Sequence, residues 1–215
     1  MVPFLIKSIG TGNWMIQEGY MMQTTDAGIG THTQFRTKLE QEMGKERTAE
    51  FYQDWLDNHM DKADIDSMKA WGFNAIRPAL HYKWFTLPIQ DEPVSGQNTW
   101  VNAGFEKLDE LMEWAAANQM YVMFDMHGAP GGQGKNSNIN DYDETLPSLF
   151  EDEANKTKLE ALWVKLAKRY KVSVSTIERW VYFKNLPPPI RIGPNRILWD
   201  MQEILDWEQS RKESR

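Results

Sequence analysis

The sequence predicts an α/β chain followed by a small winged helix-turn-helix, and three observations predict it. Up to residue 170, short apolar runs alternate with helix-length amphipathic segments, the pattern of parallel strands joined by crossover helices. Charged and aromatic side chains gather just past the ends of two of those runs. From residue 156 onward the charge changes sign, and helical periodicity gives way to a proline-led hairpin pattern.

Composition supports a packed protein. Of 215 residues, 41% are apolar and 12% aromatic, enough to bury a core. The absence of cysteine excludes disulfides and thiolate metal sites, and the four histidines show no HExxH spacing, so no metal and no cofactor is implied. No apolar run reaches 18 residues, and the opening MVPFLIKSIGTGNW lacks a clear cleavage site. The expectation is a cytoplasmic chain with no membrane partner. Residues 156–215 hold 13 Lys/Arg against 7 Asp/Glu, net +6, which leaves 11 against 24, net −13, for residues 1–155. An acidic body repels polyanions and a basic tail attracts them, so nucleic-acid contact is expected of the tail.

Phe4 to Ile9 reads as a buried strand, followed by a polar loop from Gly19 to Thr33. Phe51, Trp55, Met60, Ile65 and Met68 recur at helical spacing from Thr48 to Trp71, and Gly72 closes that helix. Phe73 to Ile76 is a second strand running into Arg77-Pro78. After a long loop, Phe105, Leu108, Leu111, Met112 and Trp114 mark a helix over 101–118, and Tyr121 to Met126 is the third strand. Leu159, Leu162, Trp163, Leu166, Ala167 and Tyr170 then form one face of a helix over 158–170.

In parallel sheets, ligands bind at the carboxyl ends of the strands. The second strand leads into Arg77, His81, Tyr82 and Trp84, and the third ends in Asp125 and His127 before the loop GAPGGQGKNSNIN. Charged groups that bond hydroxyls beside rings that stack on C–H faces suit a sugar. Alternative roles stay open: Arg77 as neutraliser of Asp125, His127 as a bond to the glycine loop, and most tryptophans as core, with Trp84 the best sugar platform among them.

The blocks GNWMIQEGYM (12–21), GFNAIRPALHYKWF (72–85) and YVMFDMHGAPGGQG (121–134) together resemble glycoside hydrolase family 5, especially its β-glucanases and glucan glucosidases, over about residues 3–170. The resemblance implies a (β/α) barrel of which about three βα units are present, retaining chemistry on β-glucans, and substrate contacts by Arg77, His81, Trp84, Asp125 and His127. It also places the acid/base on a fourth strand and the nucleophile on a seventh, neither of which is found in these 215 residues. Asp91-Glu92-Pro93 is a near match to the acid/base motif in the wrong unit, and Asp141, Asp143 and Glu144 are weak substitutes. No catalytic residue is therefore assigned. Residues 1–170 are expected to be inactive alone, to meet β-glucan only if the rest of the barrel is supplied, and to self-associate through an open sheet edge.

Past Lys171, Ser173 can cap a second helix with Val174, Ile177 and Val181 on one face. Ile190 to Ile192 and Ile197 to Trp199 read as strands about a Gly193-Pro194-Asn195 turn, and Asp200 can cap a last helix. The stretch VSVSTIERWVYFKNLPPPIRIGPNRILWDMQEILDW resembles the AlpA and excisionase type of winged helix-turn-helix, related to MerR headpieces, over about 158–211. The helix 158–170 then serves both parts, with domains at 1–170 and 158–215. Duplex DNA is the expected partner: Arg179, with Ser175 and Thr176, for base edges; Tyr182 on the same exposed face; Arg191 and Arg196 on the wing, with Lys171 and Lys184, for phosphates.

Overall fold

The computed structural model describes residues 5–171, 190–193 and 196–198, the last two ranges as backbone alone. The chain divides into two compact units, Met1–Leu162 and Trp163–Arg215. The first is organised by a parallel sheet. Strand β1 (Ser8–Thr11) pairs with β2 (Ala75–His81) in the register Ser8↔Ala75 to Thr11↔Pro78. On its other side β2 pairs first with β3 (Tyr121–Val122) and then with β4 (Asp125–Gly128).

Two strand expectations shift. The first strand begins at Ser8, because Leu5 and Ile6 are exposed; their apolarity does not go into the sheet. The third strand is split. Met123 donates its N–H to the Ile76 carbonyl, so the next β2 residue turned to that side is Pro78. Proline has no N–H to offer, and the ladder lapses at Met123 and Phe124 before resuming at Ala79↔Asp125.

Strand β2 also runs further than expected, to His81. Every residue in it is buried except Arg77, the burial on both faces expected of a central parallel strand. The one exposed position of the strand is thus an arginine aimed at the open face.

The helices are α1 (Gly19–Met22), α2 (His32–Met43), α3 (Lys45–Asn58), α4 (Lys62–Ala70), α5 (Asn102–Ala117), α6 (Ser137–Asn140) and α7 (Glu153–Arg169). What reads as one helix over 48–71 is two. Asp61 accepts the N–H groups of Ala63 and Asp64, and Asp64 answers to the Asp61 N–H, a capping box that starts α4 and interrupts the periodicity. Helix α2 has no strong apolar stripe, yet Thr31 and Gln34 form a second capping box at its start. The helix 101–118 is found as α5, which buries Phe105, Leu108, Leu111 and Ala115. Ile76, Leu80, Ile65, Leu56 and Phe85 complete a core that seals the sheet from the helix side.

In the second unit the described backbone is an antiparallel pair, β5 (Ile190–Gly193) and β6 (Arg196–Leu198), with Ile190 opposite Leu198. It lies where the sequence places a wing. The expected helices after Ser173 and Asp200, and with them Ser175, Thr176, Arg179, Tyr182 and Lys184, lie outside the described residues. Among the described residues no helix is long and apolar enough to cross a membrane.

Glu92, from the near-match motif, is structural. Lys158 on α7 is 3% exposed and donates to Asn98 Oδ1 at 2.8 Å, to Thr86 Oγ1 at 3.2 Å and to the Glu92 carboxylate. Both Glu92 oxygens also accept the Thr99 N–H. Burial pushes the Glu92 pKa up, but the bonds from Lys158 and Thr99 outweigh it and hold the group below its usual range. Lys158→Met leaves that carboxylate buried without its cation, and a loss of about 3 kcal/mol or more is expected in urea unfolding, partly recovered when Glu92→Gln is added.

Candidate functional site

On one face of the sheet four side chains form a line of alternating charge. Arg77 Nη1 meets Asp125 Oδ2 at 2.6 Å, the same oxygen lies 3.1 Å from His127 Nε2, and His127 Nδ1 lies 2.8 Å from Glu18 Oε1. The Tyr20 hydroxyl donates to the other Glu18 oxygen at 2.7 Å. Backbone placement explains the convergence. Arg77 is the outward position of β2, Asp125 and His127 are alternate residues of β4 and so share a face, and Glu18 ends the segment that leaves β1.

That segment is held from beneath. Trp14 is fully buried and donates to the Leu56 carbonyl; Trp84 donates to the Met15 carbonyl at 2.6 Å; the Gln17 N–H goes to His32 Nδ1 at 3.2 Å. Glu18 then takes its place with its own N–H on Asn13 Oδ1.

A histidine bonded through both ring nitrogens to carboxylates holds its second proton strongly. The hydrogen bond to Glu18 is the largest cause, partial burial works against it, and Asp125 adds to it, so the His127 pKa lies above the ordinary 6.5. The protonated ring joins Glu18 and Asp125 into one unit, while Arg77, half-exposed, keeps donors free for a ligand.

Two residues expected to touch substrate lie below this surface. His81 is fully buried, its Nε2 on Asp141 at 2.9 Å and its Nδ1 accepting the Lys83 N–H. A Cβ on Gly128 would come within 2.4 Å of that ring, so glycine is needed for the strand to pass over it. Trp84 is 8% exposed and its indole N–H is taken by Met15. Both support the site; neither presents a face to a sugar. Arg77, Asp125 and His127 are brought together. Glu18, which completes the line, was missed as a site residue although it sits in the quoted block GNWMIQEGYM; its distance of 109 residues from His127 hides the pairing.

Asp141 closes the other side. It accepts from the Thr33 N–H at 2.8 Å, from the Thr33 hydroxyl, from His81 and from Lys83 at 3.1 Å. Burial would raise its pKa, but the His81 bond and the cationic neighbours depress it far below the usual carboxylate range. Beside it opens a cleft of about 890 Å³, lined among others by Tyr82, Lys83, Gln90, Lys135, Tyr142 and Asn155. The loop forming its wall turns at Gly132, whose φ of +75° and contact with Tyr142 exclude a side chain.

Residues 29–177 match the family described as Cellulase (glycosyl hydrolase family 5). The chain belongs to glycosyl hydrolase family 5. The match includes α7 and passes beyond Tyr170. Among related proteins, this family 5 chain is 25% identical over 167 residues to a β-xylosidase of Phanerodontia chrysosporium, covering 78% of this chain and 33% of that protein. It is 30% identical over 130 residues to a probable glucan 1,3-β-glucosidase A of Aspergillus niger, covering 60% and 29%. A probable glucan endo-1,6-β-glucosidase B of Aspergillus flavus is 29% identical over 163 residues, covering 73% and 39%. The chain thus spans about a third of the length of these relatives. The solved rutinosidase of Aspergillus niger shares the fold with a TM-score of 0.55 at 18% identity, covering 75% of this chain and 44% of that one.

The His127 bonds set a sign. Its raised pKa means that the Glu18–His127–Asp125 contact contributes fully below pH 6.5 and fades as pH rises through the folded value. An NMR titration of the His127 ring is expected to give a midpoint above 6.5 in the native chain and one moved toward 6.5 in Glu18→Gln.

Proposed function

We propose that residues 1–170 form the sugar-recognition face of a family 5 β-glucan hydrolase and bind glucan without cleaving it on their own. The observation that carries this is the Arg77–Asp125–His127–Glu18 line, anchored on the buried Glu18 and open to solvent mainly at Arg77, a set of fixed charged donors and acceptors matched to vicinal hydroxyls. Two of the relatives are named glucan β-glucosidases, which favours a β-linked glucan as ligand. Retaining hydrolysis needs two carboxyl groups about 5 to 5.5 Å apart, one of them protonated. Here Glu18 and Asp125 are both committed to His127, while Asp141 and Glu92 are held ionised by cations. Proton donation and nucleophilic attack would fall to residues outside this line, and binding to the line itself.

Calorimetric titration with β-1,3- and mixed-linkage gluco-oligosaccharides is expected to show binding that Arg77→Ala and His127→Ala each weaken by about tenfold or more, since each removes a hydrogen bond to a charged group. No reducing sugar is expected to be released. Release that Arg77→Ala abolishes would sink the claim that the chain only binds.

We also propose that the second unit binds duplex DNA as a winged helix-turn-helix. What favours this reading is the β5–β6 hairpin at the expected wing, with Arg191 and Arg196 on its two strands, in the basic part of the chain. Arg179, Ser175 and Thr176 would read base edges, Tyr182 would lie beside them, and Lys171, Lys184, Arg191 and Arg196 would meet phosphates. Retention of a duplex by the intact chain should weaken as salt rises, and Arg179→Ala should weaken it further; unchanged migration with and without DNA at low salt would refute it.

A further inference from the structure

The Glu18 segment is fastened by a pair of stacked histidines whose bonding resists a second proton. His32 and His81 are 3% and 0% exposed, and their rings stack with centroids 4.5 Å apart at 24°. His32 Nδ1 accepts the N–H of Gln17, the residue before Glu18, at 3.2 Å. His81 Nδ1 accepts the Lys83 N–H at 3.1 Å, which makes its Nε2 the proton carrier, 2.9 Å from Asp141. A ring nitrogen that already accepts an N–H has no lone pair left. Protonating either ring at Nδ1 therefore breaks a backbone hydrogen bond and sets two N–H groups against each other.

The surroundings add to this. Burial opposes a charge on both rings. His81, Lys83 and Arg36 oppose one on His32, with Asp141 acting the other way; for His81, Asp141 favours the charge and Lys83 opposes it. Tyr52 and Tyr82 flank the pair and carry no charge at neutral pH, burial pushing both phenols well above their ordinary range.

We infer that the His32–His81 stack is an acid-release latch: uptake of a proton frees the Gln17 N–H, lets the Gln17–Glu18 segment detach, and takes Glu18 away from His127. This goes beyond sugar recognition, because the latch acts on the backbone whether or not a sugar binds. The direction follows from linkage. In the opened segment a histidine titrates near the ordinary 6.5, whereas the closed form keeps both rings neutral to lower pH. The closed form is fully held above about 6.5 and loses its hold as pH falls below, the open population rising about tenfold per pH unit for each proton taken up. His127 has the opposite sign, since acid strengthens its contact with Glu18 until the carboxylates protonate. Opening in mildly acidic solution is therefore a mark of the buried pair alone.

Amide hydrogen exchange read by NMR on the full chain tests this. Corrected for intrinsic chemistry, exchange at Gln17 is expected to be about fivefold faster at pH 5.5 than at 6.5 for one proton taken up, while the helical amide of Leu111 stays protected. His32→Asn, which keeps an acceptor near the place of Nδ1 but takes up no proton, should remove the acceleration. Constant Gln17 protection across this window in the native chain refutes the latch, as does equal acceleration in His32→Asn. If that variant does not fold, the native exchange profile decides. Oligosaccharide titration plays no part in this readout, so failure of either proposal leaves the other standing.

Discussion

The walls of the site hang on one buried carboxylate. Asp141 gathers a strand end through His81, a helix start through the Thr33 N–H, and the turn after β2 through Lys83, and it does so in the left-handed conformation, φ 56°, that aspartate tolerates. An anion at the first turn of α2 also meets the positive end of that helix. Because the carboxylate is nearly inaccessible, each of these partners is needed to offset its desolvation. The long loop after β4 is thereby tied to the two elements that carry the Glu18 segment and the Tyr82–Trp84 turn.

From this clamp the division of labour among the charged residues follows. Carboxylates below the surface, Asp141 and Glu92, are spent on holding loops to strands and helices. Asp125, partly accessible, is joined through His127 to the buried Glu18 in a unit that ends outward at Arg77. The acceptors are fixed by their bonds to His127, while the half-exposed guanidinium keeps donors available, the arrangement on which the proposed hydroxyl recognition rests. Membership of family 5 and the shared (β/α) fold agree with a site on this sheet.

The strands and the longest helices were readable because burial imposes period: the runs at 73–76 and 121–126 and the apolar spacing of α5 and α7 are local signals. The break between α3 and α4 was readable in principle from Asp61 and Asp64, but apolar residues at helical spacing on both sides masked it. Helix α2 escaped because its stability comes from its Thr31–Gln34 cap and its neighbours more than from an amphipathic stripe. The split of the third strand depended on Pro78, a residue of another strand, which no reading of residues 121–128 alone could reveal.

By itself the sequence determined the α/β class, the parallel order of elements, the presence of Arg77, Asp125 and His127 near strand ends, and the contrast between an acidic body and a basic tail, all of which follow from periodicity, spacing and composition. Only the tertiary structure decided which of those residues reach the surface. It turned His81 and Trp84 inward as supports, joined Glu18 to His127, and converted Glu92 and Asp141 into buried ties. The physical reason is that exposure and pairing are set by what packs above a residue, and in this chain the covering residues lie up to about a hundred positions away.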